Sequence, residues 1–376
     1  MKNNYQKITN LIMYNTSMLD ETKYTLYTDN EKAWNNMLSD CAQATKSIDL
    51  EQFIFYTDDF GRRLIDICAE RARNGVKVRF LWDAAGSFTL WGSDIKKELK
   101  EKGIELVYWR TLIPGYYNVP NFRSWYLRNH RRSLIIDQKI GYTGSICILD
   151  SMKNWRDTNV RLEGRILLEM SNSFERMWER ATKEKILSRR ILIQNSPFHY
   201  VTNFPAPGRR HLYKQIVEAI KRAKSHIYIT TPYLVPTGRL HRLIKHASEN
   251  GVDVRILLPE KTDHPTVDLG GRSYFSSLLQ SGVRIFLYTG NMIHSKSIAI
   301  DGVWSTVGSL NLDQISLLYN YEANIVSEDP AFARELESHF MNDLRQTKEI
   351  HFKDWQNRFF IEKIPEILIK LVRRFL

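Results

Sequence analysis

Two histidines in this chain are each followed by the same polar pattern. The first copy reads His130-Arg-Arg132, four residues, Asp137, then Gly144-Ser145-Ile-Cys147; the second reads His294-Ser-Lys296, four residues, Asp301, then Gly308-Ser309-Leu-Asn311. All of these positions are related by one offset of 164 residues. A lone histidine with a cation two residues on is an ordinary surface or core occurrence, whereas two copies in register point to a functional pair. Residues two apart on a strand face the same way. Each imidazole, able to serve as nucleophile or acid, would therefore lie beside a fixed cation, Arg132 or Lys296, able to hold a phosphate oxygen. Ser145, Ser309 and Asn311 would add neutral donors to the same oxygens. Asp137 and Asp301, seven residues beyond their histidines and on the opposite face of an ideal strand, are expected to support the site rather than to react.

An imidazole that works through one ring nitrogen needs an acceptor on the other. Asp157 follows His130 by 27 residues and Glu322 follows His294 by 28, each within a strand-like run, and these are the candidates to orient the histidines. Arg128 and Arg131 cluster with Arg132 around His130 and are expected to gather anionic headgroups. The remaining histidines form no ligand set, so neither a metal nor a cofactor is expected.

The elements that must position these residues repeat as well. A strand-like run from Ile48 to Phe55, a helix from Gly61 to Arg73, the turn Asn74-Gly75, a strand from Val76, a helix from Asp94 to Lys102 and a strand from Ile104 to Tyr108 make up the first half. In the second half His226–Thr230, Leu240–Glu249, Asn250-Gly251, Val252–Leu258, Ser273–Gln280 and Val283–Tyr288 replay that order. The octapeptides NGVKVRFL and NGVDVRIL are the clearest trace of duplication. Each half is thus expected to be an α/β unit with a mostly β central sheet flanked by helices. The boundary falls between residues 188 and 208, where a helix from Phe174 to Leu187 gives way to Ser196-Pro197 and Pro205-Ala206-Pro207-Gly208. This divides the chain into 1–195, 196–350 and a tail, 351–376, that matches nothing in the first half.

With 376 residues, 43% hydrophobic and 26% charged, the composition suits two globular domains and excludes disordered, collagenous and coiled-coil chains. Lys+Arg outnumber Asp+Glu 54 to 42, and the resulting charge of +12 favours polyanionic partners: nucleic acid, phosphoinositides or an anionic bilayer. Cys41, Cys68 and Cys147 lack CxxC spacing and read as free thiols of a reducing compartment. No stretch of 18 apolar residues occurs, so neither a secretory signal nor a spanning helix is expected.

The duplicated HxK(x)4D pattern with its trailing GSxN resembles the phospholipase D superfamily. Thr231-Pro232-Tyr233, Val307-Gly308-Ser309-Leu310-Asn311-Leu312-Asp313 and the run from Trp155 to Gly164 are most similar to the bacterial cardiolipin synthase branch, here without N-terminal transmembrane spans. The first copy departs from the pattern, with Arg132 in place of Lys and Cys147 in place of Asn. The resemblance implies two homologous phospholipase D-like domains about a pseudo-two-fold axis, with both histidines at the interface. It also implies a phosphohistidine intermediate, no metal, and a phosphatidyltransferase that makes cardiolipin from phosphatidylglycerol and a second phosphatidyl lipid or lipid alcohol. It suggests His130 as nucleophile and His294 as acid/base, although pseudo-symmetry leaves the reverse open. A lipid hydrolase, a nuclease on the same scaffold and an inactive lipid-binding module are the alternatives.

These strings favour anionic phospholipids and a membrane surface over nucleic acid, and place the protein peripherally on the cytoplasmic face of the bacterial cell membrane. Oligomeric state is left open. Two segments are candidate membrane contacts. One is the stretch from Tyr108 to His130, with Trp109, Tyr116, Tyr117, Phe122, Trp125 and Tyr126. The other is the tail, where Ile364, Ile367, Leu368, Leu371, Val372 and Phe375 form a helical stripe with Lys370, Arg373 and Arg374 beside it. At about 16 Å the run from Glu366 is too short to span a bilayer, so it lies on a surface or docks on its own protein.

Overall fold

The repeated Asn-Gly turns set the frame of the molecule. In the computed structural model, which describes residues 11–14, 22–110, 127–184, 190–359 and 369, Gly75 and Gly251 take φ angles of +86° and +89°. A side chain would be strained there. Each glycine turns the chain from a helix into a strand of the central sheet, and the strands around it assemble in the same way in both halves.

The first sheet runs, in spatial order, β2 (Lys23–Asp29), β8 (Arg156–Glu163), β7 (Ile140–Gly144), β6 (Ser133–Ile136), β3 (Ser47–Gln52), β4 (Lys77–Asp83) and β5 (Ile104–Trp109). The second runs β10 (Phe198–Asn203), β18 (Glu322–Ser327), β16 (Trp304–Gly308), β15 (Ser297–Ile300), β11 (His226–Thr230), β13 (Asp253–Pro259) and β14 (Arg284–Tyr288). The two orders match strand for strand, and β19 (Thr347–Ile350) extends the second sheet by one. In each, the three strands joined by helical crossovers are parallel and the rest are antiparallel. Two short parallel pairs stand apart: β1 (Leu11–Tyr14) with β9 (Arg190–Ile193), and β12 (Leu234–Val235) with β17 (Leu312–Asp313).

Helices cover the sheets: α1 (Asn30–Ala42), α2 (Asp59–Arg73), α3 (Ile95–Glu101) and α4 (Ile166–Thr182) in the first half, and α5 (His211–Arg222), α6 (Gly238–Glu249), α7 (Pro265–Arg272), α8 (Phe275–Gln280), α9 (Gln314–Leu318), α10 (Pro330–Asp343) and α11 (Phe352–Gln356) in the second. Side-chain oxygens of Asp29, Asp58, Thr237 and Asp329 cap α1, α2, α6 and α10 by accepting backbone N–H bonds. Such a cap contributes about 1 kcal/mol. Each half buries its own apolar cluster, and a third cluster is shared, with Leu81, Ile135, Met170 and Phe174 packed against Phe198, Ala299, Val307 and Phe332. The halves therefore meet through a core as well as through their sites.

Two elements end sooner than the sequence suggests. The strand expected to reach Phe55 stops at Gln52, because Ser87 Oγ takes the Phe55 N–H at 3.1 Å and donates to the Phe53 carbonyl at 3.1 Å. The helix expected to run to Leu187 closes at Thr182, where Lys183 takes a φ of +61°. The apolar stripe of the tail and residues 111–126 of the aromatic stretch lie outside the described residues.

Candidate active site

His130 and His294 each sit just ahead of the antiparallel strand that adjoins the parallel part of its sheet, β6 and β15, and each is tied by backbone to the opposite half. The His130 N–H donates to the Tyr321 carbonyl at 3.0 Å, and the Tyr321 N–H donates to the Arg128 carbonyl at 2.9 Å. On the other side the His294 N–H donates to the Arg156 carbonyl at 2.8 Å, and the Arg156 N–H to the Met292 carbonyl at 2.9 Å. Because Tyr321 and Arg156 immediately precede Glu322 and Asp157, these bridges deliver a carboxylate to each histidine from across the pseudo-two-fold axis. His130 Nδ1 lies 2.9 Å from Glu322 Oε1, and His294 Nδ1 lies 3.1 Å from Asp157 Oδ2. The near-equal spacings identify both carboxylates but match each to the histidine of its own repeat; the structure exchanges the partners.

The other ring nitrogens face the cations. Arg132 Nη2 is 3.0 Å from His130 Nε2, and Lys296 Nζ is 2.9 Å from His294 Nε2. Guanidinium and ammonium groups only donate, so each Nε2 accepts and each Nδ1 carries the proton that is donated to the carboxylate. Both histidines, both cations and both carboxylates are buried. The first half-site therefore contains Arg132, His130 and Glu322, and the second Lys296, His294 and Asp157, with each cation acting on the histidine of the other half as well.

Burial, then Arg132 and Lys296, holds the His130 imidazole well below its ordinary range. His294 is lowered to about 4 by burial and Lys296, against the pull of Asp157. Burial, aided by Arg132, draws Lys296 down to about 7. The carboxylates diverge. Burial pushes Glu322 up to about 8 despite the hydroxyl of Ser309 and the charge of Arg132. Burial acts on Asp157 in the same direction, but His294, Lys296 and Ser145 outweigh it and hold the group at about 2. The two half-sites are thus alike in geometry and unlike in electrostatics.

Several expected roles shift. Ser145 donates to Asp157 and Ser309 to Glu322, so both hydroxyls brace the orienting carboxylates rather than standing free for phosphate. Gly144 and Gly308 permit this close approach: a Cβ at either would lie 2.3 Å from the carboxamide oxygen of Asn159 or Asn324. Asn311 is buried, and its carboxamide oxygen has no hydrogen-bond partner among the described residues. Cys147 accepts from Arg132 Nε at 3.1 Å. Asp137 and Asp301 lie outside the cluster, at the distal hairpins. Asp137 takes the N–H groups of Thr45, Lys46 and Ser47, and Asp301 those of Lys224, Ser225 and His226, at 2.7–2.9 Å. Arg128 and Arg131 do not gather headgroups, because they are buried against Asp83 at 2.6 Å and Glu51 at 3.2 Å.

Sequence reasoning missed four contributors. Asn159 and Asn324 follow Asp157 and Glu322 by two residues and accept the N–H groups of Ile146 and Leu310 at 2.9 and 3.1 Å, which fixes the segments after Ser145 and Ser309. Their signal was available as a repeated carboxylate-x-Asn. Phe53 and Trp155 set their rings edge-on to His130 and His294, at 4.7 and 5.5 Å between centroids, and nothing in their spacing marks them. Among the described residues no group of three or more His, Cys, Asp or Glu side chains could hold a metal ion.

This duplicated arrangement has close counterparts. The family described as "Cardiolipin synthase, PLD-like domain" matches the chain at residues 37–178 and again at 216–344. The chain is 30% identical to the probable cardiolipin synthase YwiE of Bacillus subtilis (strain 168), over 91% of its own length and 70% of that protein's. It is 31% identical to a cardiolipin synthase of Clostridium perfringens (strain SM101 / Type A), over 97% and 80% of the respective lengths. In fold it is similar to the phosphatidylserine synthase of Haemophilus influenzae Rd KW20, with a TM-score of 0.71, 14% identity, and 94% and 92% of the two chains covered. With the family matched once in each half, and relatives aligned along most of the sequence, the chain belongs to the cardiolipin synthase family of phospholipase D-like enzymes.

Proposed function

We propose that this enzyme transfers a phosphatidyl group to a lipid alcohol, making cardiolipin when phosphatidylglycerol is both donor and acceptor. The observation that carries this reading is the crossed pair of half-sites, each with an Nε2 lone pair facing a cation and an Nδ1 proton held by the other half's carboxylate. A phosphodiester entering between the histidines would accept the N–H groups of Arg132 and Lys296, releasing the ring nitrogens for reaction. His130 Nε2 attacks phosphorus while His294, which takes up a proton once the negative phosphodiester offsets the cations Lys296 and Arg132 that otherwise keep its ring neutral, gives that proton to the departing glycerol oxygen. The product is phosphatidyl-His130. His294 then takes the proton of the acceptor hydroxyl, whose oxygen attacks phosphorus and expels His130. With phosphatidylglycerol in both steps the products are cardiolipin and glycerol; with water as acceptor the product is phosphatidate.

The unequal carboxylates support this division of labour. A proton carrier needs a firm counter-ion for its imidazolium, and Asp157, held at about 2, supplies one to His294. A nucleophile needs a neutral ring, and Glu322, raised to about 8, gives His130 less incentive to protonate. Because the substrate is a lipid, the enzyme would work at a membrane surface. No helix among the described residues is long and apolar enough to cross one.

Labelled phosphatidylglycerol tests the mechanism. After a denaturing alkaline quench, wild type should retain acid-labile label on a histidine, and His130→Ala should retain none. Both His130→Ala and His294→Ala should lose about a thousandfold or more in turnover. Near-normal turnover in either variant rules out a two-histidine mechanism.

A further inference from the structure

The loop between β4 and α3 is connected to His130 through Phe53. Its Ser87 hydroxyl donates to the Phe53 carbonyl, and a Cβ on Gly86 would lie 2.2 Å from that same oxygen. Phe53 in turn sets its ring edge-on to His130. The loop is held at several further points: Asp83 accepts from the N–H groups of Ala85 and Gly86 at 2.8 and 3.2 Å, Leu90 is buried, and the Leu90 carbonyl accepts from Tyr108 Oη at 3.1 Å and Ser93 Oγ at 2.7 Å. Between those anchors Phe88 is held out in solvent. It is 57% exposed and stacks on Trp91, with centroids 6.2 Å apart and planes at 28°. This exposure is imposed by an ordered turn.

The flanking charge is mixed but net positive, with Asp94 and Glu101 exposed and Glu98 held by Arg62 and Lys102. In α3, Ile95 and Leu99 face the core while Lys96, Lys97 and Lys100 are exposed and take no carboxylate partner among the described residues. The corresponding loop of the second half, after β13, carries Lys261, Thr262, Asp263 and His264, with no exposed aromatic residue other than the imidazole, and Asp263 is engaged by the Tyr233 hydroxyl at 2.6 Å. An apolar tip beside a row of cations is the pattern that suits an anionic lipid interface, the rings entering the acyl boundary and the lysines meeting headgroups. We propose that the loop between β4 and α3 is the surface that docks the mouth of the site onto an anionic bilayer, through Phe88, Trp91, Lys96, Lys97 and Lys100. The proposal rests on the lipid-transfer reading above, and its test does not depend on turnover.

Sedimentation of the full chain with sucrose-loaded vesicles of phosphatidylglycerol or phosphatidylcholine reads the docking directly. Phe88→Ser should lower partitioning onto phosphatidylglycerol vesicles about tenfold or more, and Phe88→Trp should restore it. Lys96→Ala and Lys97→Ala should each lower it about fivefold at low salt, with the difference fading at high salt. All four variants should turn over monomeric short-chain phosphatidylglycerol as wild type does. Vesicle binding within twofold of wild type in both the Phe88→Ser and the lysine variants would overturn the proposal, as would a wild type that does not bind anionic vesicles. If vesicle binding falls as expected but wild type transfers no phosphatidyl group, the docking surface stands and the proposed chemistry fails.

Discussion

The proposed chemistry turns on a few ionisable groups whose pKa values burial drives apart. Glu322 is the clearest lever. Its folded value of about 8 lies above its ordinary 4.5, so its neutral form stabilises the fold fully below pH 4.5, and that contribution is lost as pH rises through about 8. Glu322→Gln cannot ionise. Its melting temperature should match wild type near pH 5 and exceed it by several degrees at pH 8, while turnover falls about a hundredfold because an amide nitrogen replaces the second acceptor oxygen that faces His130 Nδ1 and takes the Ser309 hydroxyl. A melting difference that stays constant across this range would show that Glu322 is ionised at no cost. Cys147 offers a second test. Its sulfur accepts the Arg132 Nε–H, and an asparagine oxygen can do the same. Cys147→Asn should keep turnover within about an order of magnitude of wild type, whereas Cys147→Ala, which leaves a buried charged donor unpaired, should lose more.

At the scale of elements, the two distal hairpins act as staples. Asp137 and Asp301 hold φ angles of +54° and +55° and gather three backbone N–H groups apiece from the loop that enters β3 or β11. These bonds hold the aspartates below the ordinary carboxylate range even though burial opposes the shift. Asp137→Ala should destabilise the chain by about 1–3 kcal/mol, read by denaturant unfolding, since three donors lose their acceptor at once. Turnover per folded molecule should be retained, because the group is remote from both imidazoles. A variant that is stable but inactive would instead give Asp137 a part in the reaction. The histidines lie just ahead of the hairpin strands, so the fixed spacing from His to Asp measures the length of a strand with an imidazole at one end and a staple at the other.

Across the whole molecule, neither half contains a finished site. His130 depends on Glu322 and His294 on Asp157, and both dependences run through backbone bridges between the halves. We propose 1–195 and 196–376 as the pieces to express separately. Each alone should be inactive toward phosphatidylglycerol, and co-expression should yield a complex with recovered turnover, aided by the shared apolar cluster and by the Arg156–Asp343 pair at 2.7 Å. Measurable turnover from one piece alone would contradict the exchange of carboxylates.

The sequence by itself determined the duplication, because one offset relates histidine, cation, glycine and serine in both copies and the Asn-Gly turns recur in the same order among the elements. It also identified the carboxylates, because a histidine that reacts through one nitrogen requires an acceptor for the other, and few acidic residues fall at matching positions. What it could not assign was partnership. Spacing along a chain ranks neighbours in the same repeat first, while the partners of His130 and His294 are fixed by bridges across an axis that brings residues about 190 and 140 positions apart into contact. The spacing singled out Arg132 beside the imidazole, but it could not tell that Arg128 and Arg131 are withdrawn into the core. Arg128, Arg131 and Arg132 are equivalent in composition, but Asp83 and Glu51, arriving from β4 and β3, neutralise two of them inside the core and leave only Arg132 against the imidazole. The serines after glycine follow the same logic: their type made them phosphate donors on paper, and the close approach of β8 and β18 turned them toward the carboxylates instead.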